Sequence, residues 1–419
     1  MKKNLSILLA ALMLLATLAG AVACAEKPAN TDSTTANAGT QATPDETTNG
    51  ETTPQFVFKN YGDTNFVVYM RNESAGSYPG RYIDTEDVSE TISAAVYQRN
   101  SIVESQFGIK IETIQTADPY KTVENDVKGD SVEYDVILDR RSYLSSLAKK
   151  GLLHNFNDME IDFSRPWWDK NTVEQYAIGD KLYFVGNDIS VANLSGARFF
   201  YFNKKMVEDY HLTDPYSFVE KNEWILDNFL TMVKSVVNGE AEGTLGTYGI
   251  LLETGDANGN YMHLLTGCGV RQTYWEDGNL ISAFDNQSEK IQTIFDKINV
   301  VFKDPTIACD YTTAEKLDTS GGTFANKYDR GRNNFAMGHF LFVQNGMGIA
   351  AQFSEMEGEG YGIVPNPKYD SDQENYAHKI DKYSLIFCIP ESASHVDFEK
   401  DALVLDYWAH QWSLTVVPA

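Results

Sequence analysis

Cysteine is scarce, with 4 in 419 residues, at Cys24, Cys268, Cys309 and Cys388. No spacing among them matches the CxxC pairs of a zinc site, and beyond Cys24 at most one bridge is possible, which excludes a disulfide-framed fold. The remaining cysteines are expected as small buried hydrophobes. Histidine is also sparse, 7 residues with no pair at metal-ligand spacing, so His211 and His263 read as ordinary surface or core side chains. Positive charge is in deficit: 34 Lys and Arg stand against 59 Asp and Glu, for a net charge of −25. Phosphate backbones and anionic headgroups demand clustered cations, so nucleic-acid binding is excluded.

HExxH, a Walker A loop, GxGxxG after a strand and a GxSxG elbow are all missing. No metal or other cofactor is expected. Ser146-Leu-Ala-Lys149 matches SxxK, but it sits in a helical stretch with neither SDN nor KTG elsewhere, which excludes a penicillin-recognising enzyme. Asp256-Ala-Asn-Gly-Asn260 alternates oxygens yet lacks the glycine and distal Glu of an EF-hand, and reads as a turn.

What is present begins with an address. Lys2 and Lys3 precede an apolar run from Leu5 to Ala19, then Gly20-Ala-Val-Ala23 and Cys24. This is the pattern of a bacterial export signal over residues 1–23. Ala21-Val-Ala23 suits ordinary signal peptidase. The segment also resembles a lipobox, with Ala21 where Leu is usual, and Cys24 then becomes the lipidated first residue of a lipoprotein held to the membrane by acyl chains alone. No later run reads as a membrane span. Glu26 to Thr53 contains no aromatic and no Val, Ile, Leu or Met. Residues 24–54 are therefore expected as a disordered tether, reaching roughly 30 Å if random.

From Phe56 the chain alternates short apolar runs with amphipathic stretches, the pattern of α/β domains with mostly parallel sheets. Strands are expected at Asn65–Met70, Ile109–Ile114, Tyr134–Leu138, Lys181–Val185 and Arg198–Phe202. Helices are expected at Glu90–Gln106, Pro119–Lys128, Ser142–Lys150, Asp227–Val237 and Ser288–Lys303. Gly108 and Gly151 stand where helix ends need them. Phe335–Phe342 and Met347–Phe353 read as a short helix and a strand around Gly338. In such folds, ligands bind at the carboxyl ends of strands, which points to the loops at 71–83 and 139–143.

Aromatic residues make up 12% of the chain, with 23 Tyr, 22 Phe and 6 Trp. Flat rings suit the apolar faces of sugars, as amide, carboxylate and guanidinium groups suit their hydroxyls. Trp167, Trp168, Trp224, Trp408 and Trp412 read as packing residues. Trp275, before the turn at Glu276-Asp-Gly-Asn279, reads as either packing or ligand platform. Paired carboxylates for glycoside hydrolysis stay open, since so many acids offer many pairs.

Several segments in order resemble one family. Tyr134-Asp-Val-Ile-Leu138 followed by Leu147-Ala-Lys-Lys-Gly-Leu-Leu153 resembles its strand, site loop and helix ending in Gly-Leu-Leu. Gly179-Asp-Lys-Leu-Tyr-Phe184 and Phe200-Tyr-Phe-Asn-Lys-Lys205 resemble its crossing strands. Glu223-Trp-Ile-Leu-Asp-Asn-Phe229 resembles a T-W-D-x-L helix start. Phe335-Ala-Met-Gly-His-Phe-Leu-Phe342 and Gly362-Ile-Val-Pro-Asn-Pro-Lys-Tyr369 resemble its F-x-x-G and G-I-x-P-x-P segments. The family is that of extracellular solute-binding proteins of family 1, the maltose-binding-protein-like receptors of carbohydrate ABC importers, in lipoprotein form.

The resemblance implies a periplasmic-binding-protein-like type II α/β fold, two lobes with mostly parallel sheets joined by hinge strands. It places the first lobe at 56–191, the second at 192–383 and a return to the first at 384–419. Family members continue past the point matching Val417-Pro-Ala419, so the return is expected to be truncated, leaving the first lobe short of core partners and one wall of the site. The implied ligand residues are Asn72, Glu73, Asp139, Arg140, Asp188, Arg198, Asn260, Tyr261, Gln344 and Asn345. The implied protein is not an enzyme but a monomeric receptor on the outer face of the cell membrane, with a carbohydrate ligand and an ABC permease as partners. The rival is a secreted carbohydrate-active hydrolase using two acids. A receptor for peptides or metal chelates on the same scaffold is a third reading.

Overall fold

A strand buried on both faces needs apolar residues without alternation, and Thr64–Arg71 (β1), with Phe66 to Met70 in sequence, is such a strand. In the computed structural model its side chains divide by parity. Phe66, Val68 and Met70 enter one core, and Val67 and Tyr69 the other. The structure describes residues 54–72, 83–187, 189, 196–239, 243–255, 259–353, 356, 360–392 and 397–418. The expected export signal, Cys24, the tether up to residue 53, and site residues Glu73 and Asp188 lie outside the described residues, as do 256–258 of the expected turn.

The first sheet has the order β11-β3-β1-β2, with β2 at Ile109–Thr116, β3 at Val136–Arg140 and β11 at Leu385–Cys388. β1 runs parallel to β2 and β3, and β11 antiparallel to β3. Helices α1 (Thr91–Phe107) and α9 (Phe398–Thr415) pack together, and the first core holds Val103 and Phe107 of the one with Val404, Leu405 and Trp408 of the other. Helices α2 (Pro119–Gly129) and α3 (Arg141–Lys149) cover the opposite face with Val123, Leu144 and Leu147. Gly108 ends α1 at φ 59°, and a Cβ there would lie 2.6 Å from the Asn60 side chain, so glycine is favoured.

The second sheet has the order β10-β4-β9-β5-β8, with β4 at Arg198–Asn203, β5 at Tyr248–Leu252, β8 at Ala308–Asp310, β9 at Phe340–Gly346 and β10 at Tyr361–Val364. Phe200 and Phe202 join Trp224 and Phe229 in one core. Tyr201 joins Phe335 and Phe353 in the other. Helix α5 (Leu226–Lys234) and helix α7 (Ser288–Phe302) each bury one face in the first, and helix α8 (Lys327–Ala336) backs the second. A separate hairpin, β6 (Thr273–Glu276) and β7 (Asn279–Ser282), turns at Asp277 and Gly278, both with positive φ.

Parallel pairing joins β1 to β2 and β3, and β5 to β8 and β9, while β4 and β11, the strands that follow each passage between sheets, enter antiparallel and make both sheets mixed. Two expectations are corrected. Lys181–Val185 is not a strand: it meets the sheet at one residue, Val185 opposite Phe387, and otherwise bridges only Lys181 to Ile178. The helix before Gly338 ends at Ala336, the strand is β9, and Met347–Phe353 is a 3-10 helix. Gly338, at φ 86°, breaks the helix, and Phe340 to Val343 then divide between two buried faces, as a central strand requires. Cys268, Cys309 and Cys388 are free and buried.

Candidate functional site

Two segments connect the sheets, and they touch. Ala197 pairs with Ile380 as an antiparallel bridge, and the Asp381 amide donates to the Gly196 carbonyl at 2.9 Å. Around this crossing lie the carboxyl ends of β1, β3, β5 and β9. It is where an open α/β sheet leaves backbone groups and side chains available to a ligand.

The second-lobe edge is a continuous polar network. Arg198 opens β4. Its Nη1 donates to Glu253 at 2.6 Å, and its Nε and Nη2 donate to Asp381 Oδ2 at 3.3 and 2.9 Å. Asn260, at the start of helix α6 (Asn260–Gly267), accepts the Glu253 amide at 2.6 Å and donates to Gln344 Oε1 at 3.0 Å. Gln344 donates onward to Asn366 at 2.6 Å. Arg198, Asn260, Gln344, Asn366 and Asp381 are all buried. His378 sits against the Arg198 carbonyl with its ring on Phe199, and burial lowers its pKa, favouring the neutral ring.

The first-lobe edge is built from arginines and tyrosines. Arg71, the last residue of β1, donates from Nε to Asp139 Oδ1 at 2.7 Å, and also to the Ala117 carbonyl. Asp139 is fully buried, and burial holds its carboxyl above the usual range even against that guanidinium. Arg71 lies over the ring of Tyr143, Arg140 over Tyr383 and Arg141 over Tyr176, each about 5 Å from the ring centre. Arg141 Nη1 also donates to the Tyr176 hydroxyl at 3.0 Å, and Tyr176 ends helix α4 (Lys170–Tyr176). One residue on, the Ala177 carbonyl accepts the indole N–H of Trp275 at 2.9 Å, which brings the second-lobe hairpin against the first lobe.

Of the residues expected from sequence, Arg198, Asn260 and Gln344 share one hydrogen-bonded chain, and Asn345 follows at the same edge with its side chain accepting the Gly346 amide. Asp139, Arg140 and Asn72 lie at the other edge, where the Asn72 amide donates to the Thr116 carbonyl. Tyr261 points elsewhere: its hydroxyl donates to Asn299 of α7 and its ring packs on Phe295 and Phe302. Sequence reasoning did not single out Glu253, Asn366, Asp381, Arg141, Tyr176 or Tyr383. Of these, Arg141 had a visible signal, as the neighbour of Arg140 at a strand end. Asn366, within Pro-Asn-Pro of the G-I-x-P-x-P segment, had another.

The tryptophans separate by environment. Trp167 and Trp168 both donate to Asp406 Oδ1, Trp224 to the Pro365 carbonyl and Trp408 to Asn100. All four are buried, as is Trp412, whereas Trp275 is 38% exposed. On the second lobe a cavity of about 760 Å³ lies beside Asn203 at the far end of β4, and one of about 430 Å³ runs along β5 from Tyr248 to Leu252 and Thr254. Among the described residues no group of acids, histidines and cysteines could hold a metal ion, and no helix is long and apolar enough to cross a membrane.

No family model matches the chain, and no curated protein matches its sequence. Solved structures do. The apo form of RafE from Streptococcus pneumoniae is similar at TM-score 0.53 and 14% identity, over 85% of this chain and 80% of its own. A galacto-N-biose/lacto-N-biose I-binding protein of an ABC transporter from Bifidobacterium longum is similar at 0.53 and 12%, over 86% and 77%. A family 1 extracellular solute-binding protein from Bifidobacterium longum subsp. infantis is similar at 0.51 and 15%, over 85% and 80%. With its two mixed sheets and paired crossing segments, the chain has the type II fold of the maltose-binding-protein-like extracellular solute-binding proteins.

Proposed function

We propose that this protein is the extracellular receptor of an ABC importer, holding a sugar or oligosaccharide between its lobes and handing it to a membrane permease without changing it. The observation that carries the reading is the pair of polar sheet edges meeting at two crossing segments, on a fold shared with a disaccharide-binding protein of an ABC transporter. Buried amides and guanidinium groups fixed by one another form a preorganised frame for sugar hydroxyls, and tyrosine rings at the opposite edge supply flat apolar surface. Lobes at 56–191 and 192–383, with the return at 384–419, then close over the ligand, which favours the closed state only through contacts made on closure.

The carboxylates at these edges support capture over hydrolysis. Asp139 is paired with Arg71, and Glu253 and Asp381 with Arg198. A general acid or nucleophile must face the glycosidic bond, and these side chains face guanidinium groups. The reading also takes Cys24 as the lipidated anchor on the outer face of the membrane and the protein as a monomer, with ligand contacts drawn from Asn72, Glu73, Asp139, Arg140, Asp188, Arg198, Asn260, Gln344 and Asn345.

The test is titration of the purified protein with a panel of mono- and oligosaccharides, followed by calorimetry and tryptophan fluorescence, with chromatography of the recovered sugar. Saturable binding of one ligand per chain and recovery of intact sugar is the expected result. Product formation without stoichiometric binding overturns it. Incorporation of labelled fatty acid, lost in Cys24→Ala, checks the anchor separately.

A further inference from the structure

We propose that the saccharide is an anionic one, a sugar bearing a carboxylate held at the first-lobe edge by Arg141. This rests on the sugar-capture reading above and names its ligand class. The protein as a whole carries −25, yet the segments that close this edge run the other way. Arg140 ends β3, Arg141 opens α3, and the return segment before β11 carries Lys379 and Lys382 against Asp381. These groups converge. Arg140 and Lys382 lie 5.2 and 4.9 Å from the centre of the same ring, Tyr383, and Arg141 Nη2 reaches the Ile380 carbonyl at 3.4 Å.

The carboxylates described at this edge are already committed. Asp139 takes Arg71 and the Arg140 amide on its oxygens. Asp381 takes Arg198 on Oδ2 and the Tyr383 amide on Oδ1. The guanidinium of Arg141 is left with neutral acceptors, the Tyr176 hydroxyl and the Ile380 carbonyl. Its position adds to this. Arg141 is the first residue of a helix with no acid in its first turn, where the helix dipole disfavours a cation and favours an anion beside it.

The helix amides themselves are occupied, since Arg141 N donates to the Ser384 carbonyl and Ser142 N to the Lys382 carbonyl. A ligand therefore meets side chains here. Two hydroxyls on these same residues, Ser142 Oγ and Ser384 Oγ, are buried with no hydrogen-bond partner, and Ser384 is 2% exposed overall. Unpartnered buried hydroxyls cost free energy that a polar ligand recovers. A carboxylate matches the guanidinium fork with two oxygens, and the ring against Arg141 is that of Tyr176, 5.2 Å from its centre.

Calorimetric titration of the protein with trigalacturonate, with the neutral α-1,4-galactotriose and with a sulfated disaccharide, each at low and high salt, tests this. Trigalacturonate is expected to bind on the order of 10-fold tighter than its neutral counterpart at low salt, with the gap narrowing as salt rises. Arg141→Gln brings the trigalacturonate affinity down to that of the neutral sugar measured on the same variant, while Arg141→Lys keeps part of the preference because the charge survives without the fork. Unchanged thermal midpoints establish that both variants fold. Equal or tighter binding of the neutral sugar, or a preference that survives Arg141→Gln, overturns the anionic class and leaves sugar capture standing. Tighter binding of the sulfated sugar than of the uronate overturns the carboxylate assignment. Binding of no saccharide of any kind overturns the capture reading as well.

Discussion

At the second-lobe edge each buried polar side chain in the chain from Glu253 through Arg198 and from Asn260 through Gln344 to Asn366 is held by another. At the first-lobe edge Arg71 and Asp139 are held in the same way, but Arg141 leans on neutral oxygens and two serine hydroxyls have no partner. The two edges face the same crossing and are finished to different degrees. A fully satisfied network fixes geometry and has little left to offer a ligand, whereas an incompletely satisfied one retains binding chemistry at some expense in stability. The difference teaches that one side frames the site and the other supplies the specificity.

The largest expected effect comes from breaking the frame. Arg198→Met removes the guanidinium that pairs with partly buried Glu253 and buried Asp381 and is expected to cost about 3–5 kcal/mol in urea unfolding. Gln344→Ala should cost less, about 1–3 kcal/mol by the same measurement, since it leaves Asn260 and Asn366 each without one partner.

A third region sharpens the contrast. At the opposite end of the first sheet, Asp401 is buried beside Asp135, which ion-pairs with Lys400 at 2.5 Å. Burial first, and Asp135 second, push the Asp401 carboxyl well above its ordinary value. The folded state thus holds this proton more tightly than the unfolded one. The stability it contributes is greatest below the unfolded carboxyl pKa near about 4 and is lost as pH rises toward the folded value. Asp401→Asn is expected to stabilise by about 1 kcal/mol at neutral pH, with an advantage in thermal midpoint that shrinks as pH falls toward that value. The smallest change is expected for Arg141→Gln, within about 0.5 kcal/mol of the parent in the same unfolding assay. A large loss there would mean that the first-lobe edge is as much a frame as the second.

The regular elements of the fold were legible where residues decide matters locally. The apolar runs at Phe66–Met70 and Phe200–Phe202 identify central strands, and Gly108 and Gly151, both with positive φ, stand at helix ends. Lys181–Val185 misled because a buried apolar run and a strand look alike in sequence, and this one meets its sheet at a single residue. Sheet direction was legible for the parallel pairs of β1 and β5, but not for β4 and β11: βα alternation predicts parallel pairing only while the chain stays on one sheet, and here it crosses twice. At the crossing, Asp139 could be named because strand ends are where such folds bind, whereas Arg198 and Gln344 could be named only through the family resemblance. Tyr261 could not be told from its neighbours, since which face of a helix meets α7 is decided by packing.

The sequence by itself determined the acidic charge that excludes phosphate partners, the poverty in cysteine and histidine, and the succession of strands and helices, because each depends on composition or on residues a few positions apart. Only the tertiary structure decided which polar groups meet. Arg198 and Asp381 are 183 residues apart, Arg141 and Ile380 are 239 apart, and Asn260 and Gln344 are 84 apart. No periodicity encodes pairings over such separations. They exist because the cores on the two faces of each sheet orient the sheets so that strand ends and returning segments arrive at one crossing, where charge and hydrogen-bond geometry select the partners.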